Sequence, residues 1–354
     1  MNKLGVSLSS FDGRKNQPAN GGLDRAGVGN KQLFLSLVKK LHGSDVLLSL
    51  AVRAFRTLQN LGISVSPNHY YWPVPDLASL ENRDWPLRSL PVGFDLRIEQ
   101  QVDLLSRFVS KYGDEWSFSE DPSEGDSYHY NNGFFETVDA EIAYSFVREH
   151  RPARLVEVGG GFSTRVMAAA LRANLVEKGT PGELITIDPF PDRLPTSDLD
   201  GRMKVIPRPV QQVAPEIFWS LRKDDILFLD SSHVVSIGSD VVYEYLDILP
   251  RLHRGVLVHV HDVFLPSDYP RDAVLKNLCF WSEQYMLQAF LTFNKEFEVW
   301  WSSSAMQILC RTILERAFPQ WNRSYLRMPR DKRRFVPTLD GQRVWPSSFW
   351  MRRV

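Results

Sequence analysis

Arg154-Leu-Val-Glu-Val-Gly-Gly-Gly-Phe-Ser-Thr164 decides the fold. Leu155, Val156 and Val158 form a short apolar run, interrupted by Glu157, that suits a buried parallel strand. Three glycines follow, then Ser163 and Thr164, then the apolar Val166-Met-Ala-Ala-Ala-Leu171. This order predicts a strand, a glycine turn and a helix opening on a Ser/Thr cap. Glycine lets the backbone come close to a ligand, and the free N–H groups at a helix start favour polar or negative ligand groups. Gly159, Gly160, Gly161, Ser163 and Thr164 are therefore candidate cradle residues.

The details of the cradle discriminate between ligands. The dinucleotide fingerprint G-x-G-x-x-G meets Thr164 at its third glycine position, and no Gly-Lys-Ser/Thr of a phosphate loop follows. Glu157 stands two positions before the first glycine. A buried acid is costly unless something bonds to it. A ligand with amine and hydroxyl donors supplies that bond, so S-adenosylmethionine (SAM) fits better than a pyrophosphate, which Glu157 repels.

At 354 residues the chain holds one large domain, or one plus an accessory piece. Its formal net charge is zero, so bulk charge gives no argument for nucleic acid or a membrane surface. Cys279 and Cys310 form no C-x-x-C pair, which argues against a disulfide framework or zinc cluster. No segment approaches the roughly 18 apolar residues of a membrane helix. The start lacks the apolar core of a signal peptide, so a cytoplasmic location is expected.

Residues 1–30 are polar and glycine-rich, and a disordered arm is expected there. Residues 33–61 have helical spacing, with Gly43-Ser-Asp as a stop and a new cap. Val65-Ser-Pro-Asn-His-Tyr-Tyr-Trp-Pro-Val-Pro-Asp76 reads as an aromatic loop, in which His69 and Tyr71 are candidates to line a pocket. A helix over 96–112 and a polar linker over 119–126 follow. Tyr128-His-Tyr-Asn-Asn-Gly-Phe-Phe135 offers Asn131 and Asn132, just before a helix over 139–150 that leads into the cradle strand.

Beyond the cradle helix, Leu184-Ile-Thr-Ile-Asp-Pro189 is a second strand ending in Asp188 and Pro189. An acid in that place accepts both ribose hydroxyls. Residues 203–206 form a third strand. Asp225-Ile-Leu-Phe-Leu-Asp230 is a fourth, followed by His233. Gly255-Val-Leu-Val-His-Val-His-Asp262 is a fifth, with His259 and His261 on one face. The alternation predicts an α/β fold, a Rossmann-like doubly wound, mostly parallel sheet. Ligands bind such sheets at the carboxyl ends of the strands, where Glu157, Asp188, Asp230, His233, His261 and Asp262 fall. A helix over 281–291 follows, and 297–301 and 306–310 read as two closing strands. Residues 321–354 are basic, with Trp345, Phe349 and Trp350 interleaved, and are expected to pack those aromatics onto the domain with solvated arginines.

Val-Glu-Val-Gly-Gly-Gly, Ile-Asp-Pro and Leu-Phe-Leu-Asp-Ser-Ser-His resemble successive motifs of the class I SAM-dependent methyltransferases. More narrowly, Asn131-Asn-Gly-Phe-Phe135, Val258-His-Val-His-Asp-Val-Phe-Leu-Pro266 and Trp281-Ser-Glu-Gln-Tyr285 resemble methyltransferase domain family 24. The resemblance covers roughly residues 55–310. It implies the Rossmann-like sheet of that class with an antiparallel closing strand. The layout would be an arm (1–30), a helical N-terminal extension (31–125), a SAM-binding methyltransferase domain (126–320) and a basic aromatic tail (321–354). By matching position, Glu157, Gly159 and Gly161 would hold the methionine part of SAM, Asp188 the ribose, and Asp230 would sit near the methyl group.

Methyl transfer from a sulfonium is an in-line displacement, so the protein mainly positions donor and acceptor. An oxygen acceptor must also lose a proton, for which histidine is suited near neutral pH. His261 and His233, with Asp262, are the catalytic candidates. His69, Tyr71, Asn131, Asn132, Glu283 and Tyr285 are candidates for the acceptor. Some small-molecule O-methyltransferases hold magnesium with a carboxylate after the fourth strand and acid or amide groups after the fifth. Asp230 and Asp262 occupy those places, although His261 is an awkward ligand for a hard cation.

The function expected is SAM-dependent O-methylation of a small molecule or glycan sugar hydroxyl, with a His base or a divalent metal. The alternatives are an NAD-type Rossmann oxidoreductase or a non-catalytic SAM-binding protein. No membrane is expected, nucleic acid is disfavoured by the absence of an N/D-P-P-Y/F motif, and a homo-oligomer stays open.

Overall fold

A computed structural model describes residues 45–65, 73–82, 90–122, 127–179, 182–195, 201–321, 338–339, 342–343 and 346–354. The expected arm over 1–30, the loop residues His69 and Tyr71, and Trp345 lie outside the described residues. The chain divides into two units, 1–74 and 75–354. In the first, helix α1 (Asp45–Asn60) begins where Gly43-Ser-Asp signals a new cap, and Gly62 at φ +75 follows its end.

The second unit opens with α2 (Leu77–Glu81) and α3 (Ile98–Tyr112). After α4 (Asp139–His150) come β1 (Arg154–Val158), α5 (Phe162–Lys178), β2 (Glu183–Ile187) and β3 (Met203–Ile206). Short α6 (Glu216–Trp219), β4 (Ile226–Leu229), α7 (Asp240–Tyr243) and β5 (Leu257–Val260) follow. The chain ends with α8 (Arg271–Leu275), α9 (Glu283–Leu291), β6 (Phe297–Ser302), α10 (Ser303–Leu309), α11 (Arg311–Ala317) and β7 (Phe349–Arg353). Among the described residues no helix is long and apolar enough to cross a membrane.

Seven strands form one sheet in the order β3-β2-β1-β4-β5-β7-β6. The first five are parallel, and β7 runs antiparallel to both β5 and β6. This is the doubly wound sheet with an antiparallel closing strand that the motifs predict. The two-residue side-chain period sorts the core into two layers. Leu155, Phe228, Leu257 and Trp350 pack with α3, α4 and α5. Val156, Val158, Ile185, Leu227, Val258 and Met351 pack on the other face with Tyr245, Ile248 and Leu287. α4 is buried from Asp139 through Arg148, so its polar residues at the sheet end are spent inside the protein.

One expected strand is corrected. Residues 306–310 are not a closing strand, since Met306 and its neighbours lie in α10, where the Ser302 hydroxyl caps the Ala305 amide. A short apolar run does not distinguish strand from helix by itself, and here the serine cap decides. The antiparallel strand comes instead from the segment read as a tail. His259 pairs with Trp350 and Val260 with Phe349, and both aromatics are fully buried. Between α7 and β5 the chain forms a turn of π-helix (Glu244–Ile248) and a 3-10 turn (Leu249–Arg251).

Candidate active site

The carboxyl ends of β1, β2 and β4 meet at one cavity of about 380 Å³. Gly159, Gly160 and Gly161 form one wall with Ser163, and Asp188 and Asp230 close it. Two of the glycines are sterically required. Gly159 has φ +79, and a Cβ there would run into the carbonyl of Asp230. A Cβ at Gly160 would meet Leu194 and, at 2.5 Å, Thr186. The Asp188 carboxylate braces the loop by accepting from the Gly160 amide at 3.0 Å and the Phe190 amide at 2.7 Å. Pro189 beside it is exposed. Phe134 and Phe162 line the same cavity and stack at 6.1 Å, with Phe134 open to solvent.

Glu157 is fully buried, and its partners differ from those expected. Its carboxylate accepts from the hydroxyls of Ser163 (2.7 Å), Thr164 (2.7 Å) and Thr186 (2.8 Å), so the chain itself supplies the donors that a ligand was expected to bring. Thr164 also accepts from the Gly161 amide at 2.8 Å. Glu157 thereby ties the first turn of α5 to β1 and β2 and sets the glycine turn. Burial pushes its carboxyl up to about 7 against the pull of these hydroxyls, with Asp230 adding to the rise.

Beyond Asp230 lies a cluster of acids and histidines. Asp230 Oδ1 stands 3.3 Å from His233 Nε2 and 3.4 Å from His261 Nδ1. His233 also faces Asp262 at 3.4 Å and Glu283 at 2.8 Å, while His261 faces Asp139 at 3.7 Å and Asp262 at 3.9 Å. Burial alone would hold both imidazoles down. Asp230 and Glu283 around His233, and Asp230, Asp262 and Asp139 around His261, outweigh it and raise both well above the ordinary histidine value. Burial would likewise raise Asp230, but His261 and His233 hold its carboxyl well below the usual carboxylate range. His259, on the same strand face, is the contrast: burial keeps it neutral, bonded to the Ser348 hydroxyl at 2.8 Å and stacked on Phe228. His233 and Asp262 both have φ near +55 to +60, a conformation costly for residues with a Cβ that persists where surrounding contacts fix it.

The sequence candidates thus fall into three groups. Asp188 and Asp230 line the glycine cavity, and His233, His261 and Asp262 gather beside Asp230. Glu283 belongs to the cluster as the buried partner of His233 and of the Tyr245 hydroxyl (3.2 Å). Asn132 is corrected: it is buried, donates to the carbonyls of His129 and Phe135 (both 2.7 Å), and accepts from the amides of Phe134 and Phe135 (both 2.8 Å). Its amide holds the loop that presents Phe134. Asn131 donates to Asp121 at 2.9 Å, and the Tyr285 hydroxyl donates to Asp268. Asp139, read only as a helix start, was missed; a buried acid at a helix start carried no signal beyond capping.

The donor set does not suit the divalent metal. Asp230 and Asp262 each stand within 3.4 Å of an imidazole nitrogen, whereas magnesium asks for an array of oxygen ligands. Among the described residues no group of three or more His, Cys, Asp or Glu is arranged to hold a metal ion.

This sheet order, with a glycine cradle after β1 and acids closing β2 and β4, defines the class of Rossmann-like SAM-binding methyltransferases. The sequence model described as a methyltransferase domain, family 24, matches residues 156–263. An uncharacterised protein of Archaeoglobus fulgidus is 30% identical over 177 residues, spanning 48% of this chain and 78% of that protein. The chain belongs to the class I SAM-dependent methyltransferases, in methyltransferase domain family 24. Three solved structures are more distant. The SAH-bound methyltransferase PaMTH1 of Podospora anserina is 15% identical, with TM-score 0.32, over 67% of this chain and 93% of its own. The O-methyltransferase of Bacillus cereus in complex with SAH is 13% identical, with TM-score 0.27, over 56% and 82%. The cmcI structure with Mg-SAM is 15% identical, with TM-score 0.31, over 47% of this chain and 64% of its own, less than two thirds of its length.

Proposed function

We propose that this chain methylates a hydroxyl of a small molecule or a glycan sugar, with proton removal at the Asp230–His261–His233 cluster. The observation that carries the reading is the double position of Asp230, which borders the glycine-walled cavity and lies within 3.4 Å of both imidazoles. Bound SAM would supply a methyl carbon on a sulfonium, open to in-line displacement by the acceptor oxygen. Gly159, Gly160, Gly161 and Ser163 would bind its methionine end and Asp188 its ribose. Thr164 and Glu157 would act through the turn they hold.

Asp230 would accept the acceptor's O–H and orient the oxygen. The proton would then pass to whichever imidazole is neutral, with His261 first, since Asp139 and Asp262 flank its ring and favour its charged form. The positive charge of the sulfonium beside Asp230 makes the cluster less negative and eases loss of the imidazolium proton. The metal variant finds no support in the donor set, and no step requires it.

The test is to incubate the protein with methyl-labelled SAM and a panel of hydroxyl acceptors, and to titrate SAM and NAD by calorimetry. Label on an oxygen, lost in His261→Ala while SAH binding stays within about threefold, supports the reading. Label found only on nitrogen, or NAD binding in place of SAM, sinks it.

A further inference from the structure

We propose that a second cavity, beside the cofactor cavity, binds an anionic group of the methyl acceptor, a phosphate or a carboxylate. That the ligand is the acceptor rests on the function proposed above; that the cavity binds anions does not. The floor is one face of α5. Arg165, Ala168, Ala169 and Arg172 stand at i, i+3, i+4 and i+7, so two small side chains separate two arginines whose backbone positions lie roughly 10 Å apart along the axis. The space above them is about 250 Å³.

The opposite wall supplies hydroxyls and rings. Ser117, Ser119 and Ser127 line it, with Phe118 and Tyr128, whose rings meet edge to face at 4.9 Å. The Tyr128 hydroxyl donates to the Phe135 carbonyl at 2.8 Å, so this residue offers the cavity a ring and not a polar tip. Among the described residues Arg172 forms no ion pair. The planar guanidinium fork of Arg172 matches carboxylate and phosphate oxygens.

Arg165 joins this cavity to the other, since it lines both. Its Nη1 donates to the Gly161 carbonyl at 2.8 Å, and its guanidinium lies 5.1 Å over the Phe162 ring. A ligand that reaches across Arg165 would place its charge at Arg172 and its hydroxyl on the cofactor side. Because Gly161 belongs to the cradle, anion and cofactor binding should be coupled, each altering the other's affinity by the same factor.

The experiment uses the full chain saturated with SAH. Inorganic phosphate and malonate are titrated separately at constant ionic strength, with chloride as the reference. The expectation is that one of them binds at least about tenfold more tightly than chloride, and that Arg172→Gln loses this preference while keeping its affinity for SAH. Tighter phosphate assigns a phosphorylated acceptor, and tighter malonate a carboxylated one. No preference over chloride, or a preference unchanged in Arg172→Gln, overturns the site. The acceptor assignment is read separately, by labelling small-molecule extracts split into anionic and neutral fractions. Label in the anionic fraction, reduced in Arg172→Gln, supports it, and label in the neutral fraction alone overturns it. Absence of label in any fraction together with absence of SAH binding is failure of the methyltransferase reading, and the anion titration still decides the site.

Discussion

Asp139 Oδ2 accepts a hydrogen bond from the backbone amide of Ser347 at 2.8 Å, joining the start of α4 to the entry of β7 across 208 positions of sequence. Its Oδ1 accepts from the Ser348 amide (3.1 Å) and the Ser303 hydroxyl (2.6 Å). One buried carboxylate thus fixes the strand that covers β5 and also faces His261.

Asp139→Ala leaves two buried amides and a hydroxyl without acceptors. The expected loss of stability is about 3 kcal/mol or more. Urea unfolding monitored by circular dichroism checks it; a midpoint equal to wild type would remove Asp139 from this role.

Gly159 and Gly161 should respond differently to alanine. Gly159→Ala places a Cβ against the Asp230 carbonyl at a positive φ, so folding stability falls along with SAH affinity. At Gly161 a Cβ meets nothing within 4 Å, so Gly161→Ala should keep the melting temperature within a few degrees and weaken SAH alone. Differential scanning fluorimetry with and without SAH separates the two, and equal loss of melting temperature would contradict the geometry.

Burial carries the Glu157 carboxyl from an ordinary 4.5 to about 7. Between those values the unfolded chain has released the proton and the folded chain keeps it. The stability linked to this group is therefore full below about pH 4.5 and is lost as pH rises through about 7, by roughly 3 kcal/mol. Glu157→Gln should flatten that slope, leaving the share of Glu141, which burial also raises to about 7. Unfolding midpoints measured between pH 5 and pH 8 test this; parallel slopes for wild type and variant would refute it.

The raised imidazoles set the direction of the activity profile. His233 and His261 stay charged above their ordinary value, so the neutral form that takes a proton appears only at higher pH. Methyl transfer should climb with pH beyond 6.5 and level off on the alkaline side. His261→Ala should lower kcat by about 10²–10⁴. A flat profile from pH 6 to pH 9 would argue against an imidazole base.

Because the donor set around Asp230 and Asp262 is closed by imidazoles, incubation with a chelator should leave the rate unchanged. Loss of activity on chelation, restored by magnesium, would reverse that expectation.

Much of the fold was legible because strong local signals agree. Val156 and Val158 before three glycines, Asp188 and Asp230 at strand ends, and the His259–His261 spacing each mark a β-strand terminus. Phe349 to Arg353 resemble a tail in sequence because arginines and aromatics look alike on a solvated face and on a strand packed between two others. What places them is pairing with β5 and β6, which local sequence does not encode. The same holds at the site. Glu157 was visible as a buried acid, but its three hydroxyl partners come from two elements, β2 and α5. The bond from Asp139 to Ser347 depends on tertiary contact alone. Asn132 looked like a ligand group because an amide in a loop has the same appearance whether it bonds a substrate or its own backbone.

The insertion of β7 between β5 and β6 also bears on synthesis. A nascent chain that has emerged only as far as Ser302 holds both flanking strands with nothing to bond them together. Until Phe349 to Arg353 leave the ribosome, each flanking strand keeps a bare backbone edge open to foreign strands. Translation of the intervening stretch is therefore an interval in which both edges are open to aggregation.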